Sequence, residues 1–165
     1  MPLVLDGNGD ITGLVAGALP STVIGAGGVL QVVNATYSTE AANATDTYAD
    51  TGLTASITPS SSSSKILVLV NQNGLDKTTG SLGNGIFLRL LRGSTELSQL
   101  LAYGNYTDSV LRLITGSASI CYLDSPATTS STTYKTQFYN IANASTVRVQ
   151  SNSATSSIIL MEIAA

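Results

Sequence analysis

Histidine is absent from the 165 residues of this chain. Because histidine is the general base of Ser-His-Asp and Cys-His mechanisms and the commonest zinc ligand, both kinds of mechanism are excluded within the chain. The single cysteine, Cys121, excludes an internal disulfide, and its apolar neighbours Ile120 and Tyr122 favour a buried small hydrophobe. We therefore expect no enzyme, no catalytic residue, no metal site and no cofactor.

Charged residues are also scarce, at 10% of the chain compared with about 25% in a typical soluble domain. Only seven side chains are basic and the net charge is −3, so no stripe of positive charge can follow a phosphate backbone. This composition predicts no binding of nucleic acid. Serine and threonine replace the missing charges, as in the runs 60–64 and 128–133. A surface kept soluble by neutral hydroxyls is typical of a particle coat.

Long apolar runs are missing too. No stretch approaches the roughly 18 apolar residues of a membrane helix, so we expect no membrane insertion. Asp6 and Asp10 stand where a secretory signal would have basic residues followed by an apolar run. The sequence therefore predicts a protein that works in water and reaches its place by assembly or host lysis.

What the chain does contain is strand-forming sequence. Helix-favouring Glu, Lys and Arg are few, while β-branched and turn residues dominate. Segments rich in β-branched residues and bounded by turns are 29–37, 49–58, 65–70, 86–91, 110–114, 117–123, 134–141, 146–150 and 158–163. Segment 94–102 fits either a strand or one short helical turn. These segments predict an all-β, antiparallel β-sandwich of jelly-roll type over residues 29–165.

Four of the predicted strands are apolar on both faces: 65–70, 86–91, 110–114 and 158–163. A strand of an antiparallel sandwich has one face in the core and one wet, polar face. A second dry surface is therefore needed, and we expect a homotrimer packed around an axis. A larger core within one chain is the alternative. The expected subunit interface is Ile158, Leu160, Met161 and Ile163.

Residues 1–28 form a segment of a different kind, which we interpret as an extended anchor. The sequence predicts a small hairpin that turns at Asn8-Gly9, and a hinge at 25–28. Asp6 to Asp10 resembles the start of a calcium loop, but Ile11 replaces the required glycine, so a tight turn is favoured. An isolated hairpin is marginal in water and must dock on trimer mates or a platform protein. The expected anchor residues are Leu3, Val4, Leu5, Ile11, Leu14, Val23 and Ile24.

Tyrosines between turn residues are the best candidates for binding. Tyr103, Asn105, Tyr106 and Asp108 predict a receptor loop, because aromatic faces beside amide and carboxylate groups suit sugar rings. The alternative is that each ring packs at the base of a loop. Tyr134 and Tyr139 have opposite strand parity, so at least one should face outward.

Glu162 lies inside an apolar strand, between Met161 and Ile163. We expect a structural ion pair between Glu162 and one of Arg89, Arg112 and Arg148, rather than a catalytic role.

Several segments together carry a resemblance to a known family. They are Leu3 to Gly7 with Ile11 to Leu14, Gly28 to Val33, Ile57 to Pro59 running into Ser64 to Val70, and Ile158 to Ala165. In these the chain resembles small tail-fibre-like structural proteins of tailed bacteriophages, cyanophages among them. The resemblance spans nearly the whole chain. It implies a virion protein and supplies no catalytic residue.

The expected function is therefore host attachment by a tail fibre or receptor-binding tip located on the virion. Its expected partners are its own copies, other tail or baseplate proteins, and a glycan or protein receptor on the host surface. The main alternative is a capsid cement protein, whose arm would clamp capsid subunits and stabilise the head. Two further alternatives are a glycan hydrolase that uses two carboxylates and a secreted lectin-like adhesin, which needs a signal peptide.

Overall fold

The computed structural model describes residues 25–78, 83–107, 112–142 and 145–165, together with strand positions 4–5 and 11–12. Two antiparallel sheets pack face to face, which confirms the predicted all-β sandwich. The two strands near the start are β1 (Val4–Leu5) and β2 (Ile11–Thr12), which pair with each other. The strands of the sandwich are β3 (Val29–Tyr37), β4 (Ala41–Asn43), β5 (Ala49–Ile57), β6 (Lys65–Lys77), β7 (Asn84–Arg92), β8 (Thr95–Thr107), β9 (Leu113–Asp124), β10 (Thr132–Asn140), β11 (Val147–Val149) and β12 (Ser156–Ile163).

The smaller sheet has the order β5-β10-β7-β8. In the larger sheet, β3 pairs with β12, β12 with the first half of β6, and β9 with β6 over nearly its whole length. The short strands β11 and β4 continue the sheet beside the second half of β6. The eight long strands, in chain order, are β3, β5, β6, β7, β8, β9, β10 and β12. In the larger sheet the first, eighth, third and sixth of these lie side by side in that order, and in the smaller sheet the second, seventh, fourth and fifth do so. At the sides of the sandwich, β3 lies beside β5 and β8 lies beside β9.

The side chains of each strand alternate between the two faces of its sheet, and the inward-facing ones form the core. In β5, Leu53, Ala55 and Ile57 point inward and are buried, while the residues between them are exposed. The buried apolar residues form two clusters, one around Tyr134 and the other around Phe138. Burial of each large apolar side chain contributes about 1.5–3 kcal/mol relative to its exposure.

A buried chain of hydrogen bonds separates the two clusters. Thr51 Oγ1 and Thr136 Oγ1 are 2.6 Å apart, and Thr136 Oγ1 donates to Gln72 Oε1 at 2.9 Å. Gln72 Nε2 in turn donates to Ser156 Oγ at 3.0 Å. These residues belong to β5 and β10 of one sheet and to β6 and β12 of the other. Because every partner is buried, the hydrogen bonds fix how the sheets face each other.

The structure decides one open alternative and differs from the sequence prediction in two details. Residues 95–102 belong to strand β8, so the strand is the correct alternative for the segment 94–102. Residues 113–114 of the predicted strand 110–114 join the predicted strand 117–123 in β9, because Gly116, with φ +84°, forms a bulge opposite Leu75 rather than a break. Cys121 is exposed, not buried, because alternation along β9 turns Ala118 and Ile120 inward and Cys121 outward.

Near the start of the chain, Val4 pairs with Thr12 and Leu5 with Ile11, in the antiparallel sense that a hairpin requires. Of the expected anchor residues, Leu3, Leu14, Val23 and Ile24 lie outside the described residues, and Val4, Leu5 and Ile11 are described only as strand positions. The predicted hinge is tied to the end of the chain, since Gly27 N donates to Ala164 O and Ala164 N donates to Gly28 O, both at 2.8 Å.

Candidate functional site

Aromatic side chains form a continuous row on the outer face of the smaller sheet. Ring centroids are 4.6 Å apart for Tyr48 and Tyr139, 4.9 Å for Tyr139 and Phe87, and 5.0 Å for Phe87 and Tyr103. Tyr106 extends the row, with its centroid 5.7 Å from that of Tyr103. We call these five residues the aromatic row. Tyr48 lies just before β5, so the row crosses the width of the sheet in the order of its strands.

Bulges in β8 bring the last two rings together. This strand uses 13 residues to pair with the nine of β7, and four register shifts absorb the difference. Tyr103 and Tyr106 are three positions apart, so they would face opposite sides of a regular strand. The backbone is left-handed at Tyr103 (φ +56°) and Asn105 (φ +55°), which returns Tyr106 to the face of Tyr103. Such conformations cost on the order of 1–3 kcal/mol for each residue.

The row is most accessible at its β8 end. Tyr103 is 60% exposed and Tyr106 49% exposed, while Tyr48, Phe87 and Tyr139 are half-buried. The planes of Tyr103 and Tyr106 meet at 81°. The two rings therefore form an open corner, in which the face of one ring meets the edge of the other. Phe87 packs against Tyr103 and supports the corner.

A polar row runs beside the aromatic row. Asp50, Gln137 and Arg89 are opposite one another on adjacent strands. Gln137 Nε2 donates to Asp50 Oδ1 at 2.7 Å, and Arg89 Nη2 donates to Gln137 Oε1 at 2.6 Å. Each residue of the polar row is two positions from a residue of the aromatic row along the same strand or its extension: Asp50 from Tyr48, Gln137 from Tyr139, and Arg89 from Phe87. Two positions along a strand span about 7 Å.

Positive and negative charges on this face are matched. Arg89 forms a salt bridge to Glu96 with a separation of 2.9 Å, and its guanidinium carbon lies 3.5 Å from the ring centroid of Tyr48. Lys135 Nζ is 2.9 Å from an oxygen of Asp50. Partial burial would raise the pKa of Asp50, but hydrogen bonds from Lys135 and Gln137 outweigh it and hold that pKa below its usual value. Asp50 is therefore a charged acceptor at neutral pH.

Tyr48 and Tyr139 of the row stay protonated at neutral pH. Burial, reinforced by the charge of Glu96, raises the pKa of Tyr48 above its ordinary value. Burial, with smaller contributions from Tyr103 and Asp46, also raises the pKa of Tyr139. Their hydroxyl groups can therefore donate hydrogen bonds as well as accept them.

The structure brings together only part of the predicted receptor loop. Tyr103 and Tyr106 share one face, but they lie on strand β8 rather than in a loop. Asn105 is only 3% exposed and points away from the surface, and Asp108 lies outside the described residues. Sequence reasoning missed Tyr48 and Phe87. The parity argument did identify an outward tyrosine in β10, since Tyr139 joins the row and Tyr134 is fully buried.

A second surface lies on the outer face of the larger sheet, where apolar side chains stand in register. Val32, Met161, Leu67 and Leu123 are paired across β3, β12, β6 and β9. Neighbouring positions on the same face add the rest of the set. We call the set the outer patch: Val29, Val32, Leu67, Leu69, Leu123, Ile159, Met161 and Ile163. Val29, Val32 and Leu123 are about half exposed, at 49%, 57% and 51%.

The outer patch corrects the expected subunit interface. Ile158 and Leu160 are fully buried between the two sheets, whereas Met161 and Ile163 lie in the outer patch. The reason is the alternation of side chains along a strand, which prevents four neighbouring positions from sharing one face. Only Met161 and Ile163 can therefore contribute to a contact on this face.

The acidic side chains inside the sandwich are held by partners. Asp124 accepts hydrogen bonds from Arg92 and from the hydroxyl of Tyr134, each at 2.7 Å. Glu162 accepts from the backbone and side chain of Ser60, at 2.7 and 2.6 Å.

The expected ion pair of Glu162 with an arginine is not formed. Its carboxylate lies beside Ser60 and Gln31, while Arg89 pairs with Glu96, Arg112 with Asp76 and Arg148 with Glu40. Strand β12 places Glu162 near the turn that follows β5, where hydroxyl and amide donors are present.

Within the part of the chain that the structure describes, no three metal-ligating side chains are grouped closely enough to hold an ion. The same residues include no helix that is long and apolar enough to cross a membrane. No protein-family model matches the chain, and a search of curated proteins gave no match.

Proposed function

We propose that the chain is a structural protein of a tailed-phage virion, a tail fibre or receptor-binding tip that assembles as a homotrimer and attaches the particle to its host. The sequence resemblance suggests this class. The single observation that carries the assembly is the outer patch, because a contiguous apolar patch on the surface of a soluble protein often marks an interaction site.

The strand order supports this class of protein. Eight long strands are divided between two sheets in the orders first-eighth-third-sixth and second-seventh-fourth-fifth. We infer from this order a jelly roll, the architecture that occurs in viral capsid and lectin domains. A fold alone does not define a function, so the two outer faces of the sandwich have to supply the functional evidence.

Another copy of the chain is the occupant that suits the outer patch best. Among the described side chains of β3, β12, β6 and β9, the only charged one beside the patch is Lys65, opposite Ile163 at one end. A neutral, apolar face is self-complementary, whereas a charged partner would gain nothing from it. Four strands about 4.8 Å apart and five residues of about 3.3 Å, the length of the patch along β12, give a flat area of about 300 Å². This area suits the centre of a standard interface, which buries about 800 Å² on each partner.

Sedimentation of the purified protein tests the assembly. We expect a trimer for the wild type and a monomer for Met161→Asp, because a carboxylate at the centre of the patch would be buried without a partner. Ser119→Asp, on the polar end of the same face, is the matched control and should remain trimeric. Circular dichroism establishes whether each variant is folded. A wild type that sediments as a monomer at all concentrations would contradict the proposal.

Cys121 provides a second readout of the same contact. It is exposed in the single chain and is paired in register with Leu69 of the outer patch. We expect slow modification by a thiol reagent in the assembled wild type and fast modification in Met161→Asp. Equal rates would place the contact elsewhere.

A capsid cement protein remains the alternative, since the outer patch serves either assembly. Cryo-electron microscopy of the virion separates the two through the copy number and position of the chain. A few to tens of copies on the tail support the proposed function, and hundreds of copies on the head support the alternative.

A further inference from the structure

We infer that the aromatic row and the adjoining polar row form a binding site for a neutral glycan, with one pyranose ring seated in the corner between Tyr103 and Tyr106. The biological role of such a site, recognition of a host surface, rests on the proposed function. The binding itself depends only on the geometry of the smaller sheet.

The chemistry of the two rows matches that of a sugar. A pyranose has an apolar face of C–H groups and a rim of hydroxyl groups. The flat wall of the Tyr103–Tyr106 corner offers a partner for the C–H face, and Tyr and Trp are the residues that combine such a surface with a polar tip. The guanidinium group of Arg89 lies on β7, the strand beside the corner, two residues or about 7 Å along the strand from Phe87. The amide of Gln137 and the carboxylate of Asp50 lie on β10 and β5, one and two strands further across the sheet. Arg89 is therefore placed for hydroxyl groups of the same sugar, and Gln137 and Asp50 for those of the next one.

The charge balance favours a neutral ligand over an acidic one. Arg89 is engaged by Glu96, Gln137 and the ring of Tyr48, and Lys135 is engaged by Asp50. An acidic polysaccharide would have to break one of these ion pairs to gain a cation. A single-stranded nucleic acid, which also stacks on aromatic rings, requires a positively charged groove. The basic side chains described on this face are already neutralised.

Backbone strain indicates that the corner between Tyr103 and Tyr106 has a role other than packing of the sheet. Tyr103 adopts a left-handed conformation and yet remains 60% exposed, so the cost of the conformation is not recovered by burial of the ring. The bulge also needs Gly104, since a Cβ there would lie 2.8 Å from Cγ of Leu101. The features that fix this corner are those expected of a ligand site, where strain is stored in an otherwise stable scaffold.

Affinity electrophoresis tests the inference with two neutral polysaccharides, a soluble glucan and a galactomannan, and with the acidic polymer alginate. We expect at least one neutral polymer to retard the wild type and alginate to have no effect. Tyr103→Ala and Tyr106→Ala should each weaken the retardation roughly tenfold, as for aromatic residues at the centre of a contact. Thr129→Ala, at an exposed position between β9 and β10 that belongs to neither row and not to the outer patch, is the control and should bind as the wild type does.

Retardation by neither neutral polymer, retardation by alginate of similar strength, or unchanged binding in both tyrosine variants would each overturn the inference. Met161→Asp separates this outcome from failure of the proposed function. If the variant is monomeric and still binds glycan at each subunit, the two surfaces are independent. A wild type that is monomeric and binds a neutral polymer would support the glycan site and contradict the proposed trimer.

Discussion

The ring of Tyr37 occupies the space that a side chain at Gly52 would need. A Cβ at position 52 would lie 2.5 Å from Cζ and 2.9 Å from Cδ1 of Tyr37, and the backbone of Gly52 is left-handed with φ +87°. Tyr37 ends β3 of the larger sheet, and Gly52 lies on β5 of the smaller one. The contact therefore closes one side of the sandwich.

Gly52→Ala is expected to destabilise the protein by about 3 kcal/mol, as the sum of the left-handed backbone and the steric conflict with Tyr37. Gly93→Ala is the control, because Gly93 also has a positive φ, +57°, but a Cβ at that position would have no neighbouring atom within 4 Å. It should cost only about 1 kcal/mol. Urea unfolding measures both values. Equal losses in the two variants would show that Tyr37 adds nothing to the restriction at position 52.

The carboxylate of Glu162 is expected to stabilise the fold in a pH-dependent manner. Burial would raise its pKa, but hydrogen bonds from Ser60 and Gln31 outweigh this effect and lower that pKa below the ordinary value of 4.5. Because the folded-state pKa is depressed, its contribution is complete above pH 4.5 and is lost as the pH falls through the folded-state value. Glu162→Gln should cost about 2 kcal/mol at pH 7, and the difference from the wild type should shrink below pH 4.5.

Thermal unfolding between pH 7 and pH 3 measures this difference. Glu96→Gln is the control, because its side chain is 47% exposed in a surface ion pair, and it should cost less than about 1 kcal/mol. A loss in Glu162→Gln that is independent of pH would point to altered packing instead of charge.

Local alternation predicts much of the fold. The period of two in 49–58 identifies the buried face of β5, and the bounds of β3 are those of the predicted segment 29–37. The sequence of β8 fits two kinds of structure because its bulges destroy that period. The same rule, applied to β12, separates Ile158 and Leu160 from Met161 and Ile163, and the expected interface was wrong because it placed all four on one face.

The candidate site is less accessible to sequence reasoning. Each residue of the aromatic row can be assigned to a face of its own strand, but the row exists only because β10 lies between β5 and β7. These neighbours are far apart in the chain, and their order depends on the packing of the whole sandwich. The clustering of Tyr103 and Tyr106 additionally depends on a left-handed backbone at non-glycine residues, which local propensity disfavours.

The buried hydroxyl of Thr136 is expected to be necessary for the hydrogen-bond chain between the sheets. Thr136→Val keeps the shape of the side chain but removes the donor to Gln72 Oε1, which is fully buried. An acceptor left without a partner costs about 1–3 kcal/mol. Thr133→Val, on the exposed face of the same strand, is the control and should change the free energy of unfolding by less than about 0.5 kcal/mol. Equal effects of the two substitutions would show that the chain of hydrogen bonds adds no stability.

Tyr134 is expected to make the fold sensitive to alkali. Its ring is fully buried and its hydroxyl donates to Asp124 at 2.7 Å. Burial, followed by the hydrogen bond to Asp124, raises the pKa of this tyrosine far above its ordinary value of 10. The neutral hydroxyl is therefore favoured in the folded state, and its contribution is complete below pH 10 and declines as the pH rises further. Tyr134→Phe should cost about 1 kcal/mol at pH 7 and should lose less stability than the wild type above pH 10. Denaturant unfolding at pH 7 and in alkaline buffers compares the two, and parallel declines of the wild type and Tyr134→Phe would show that another group controls the alkaline transition.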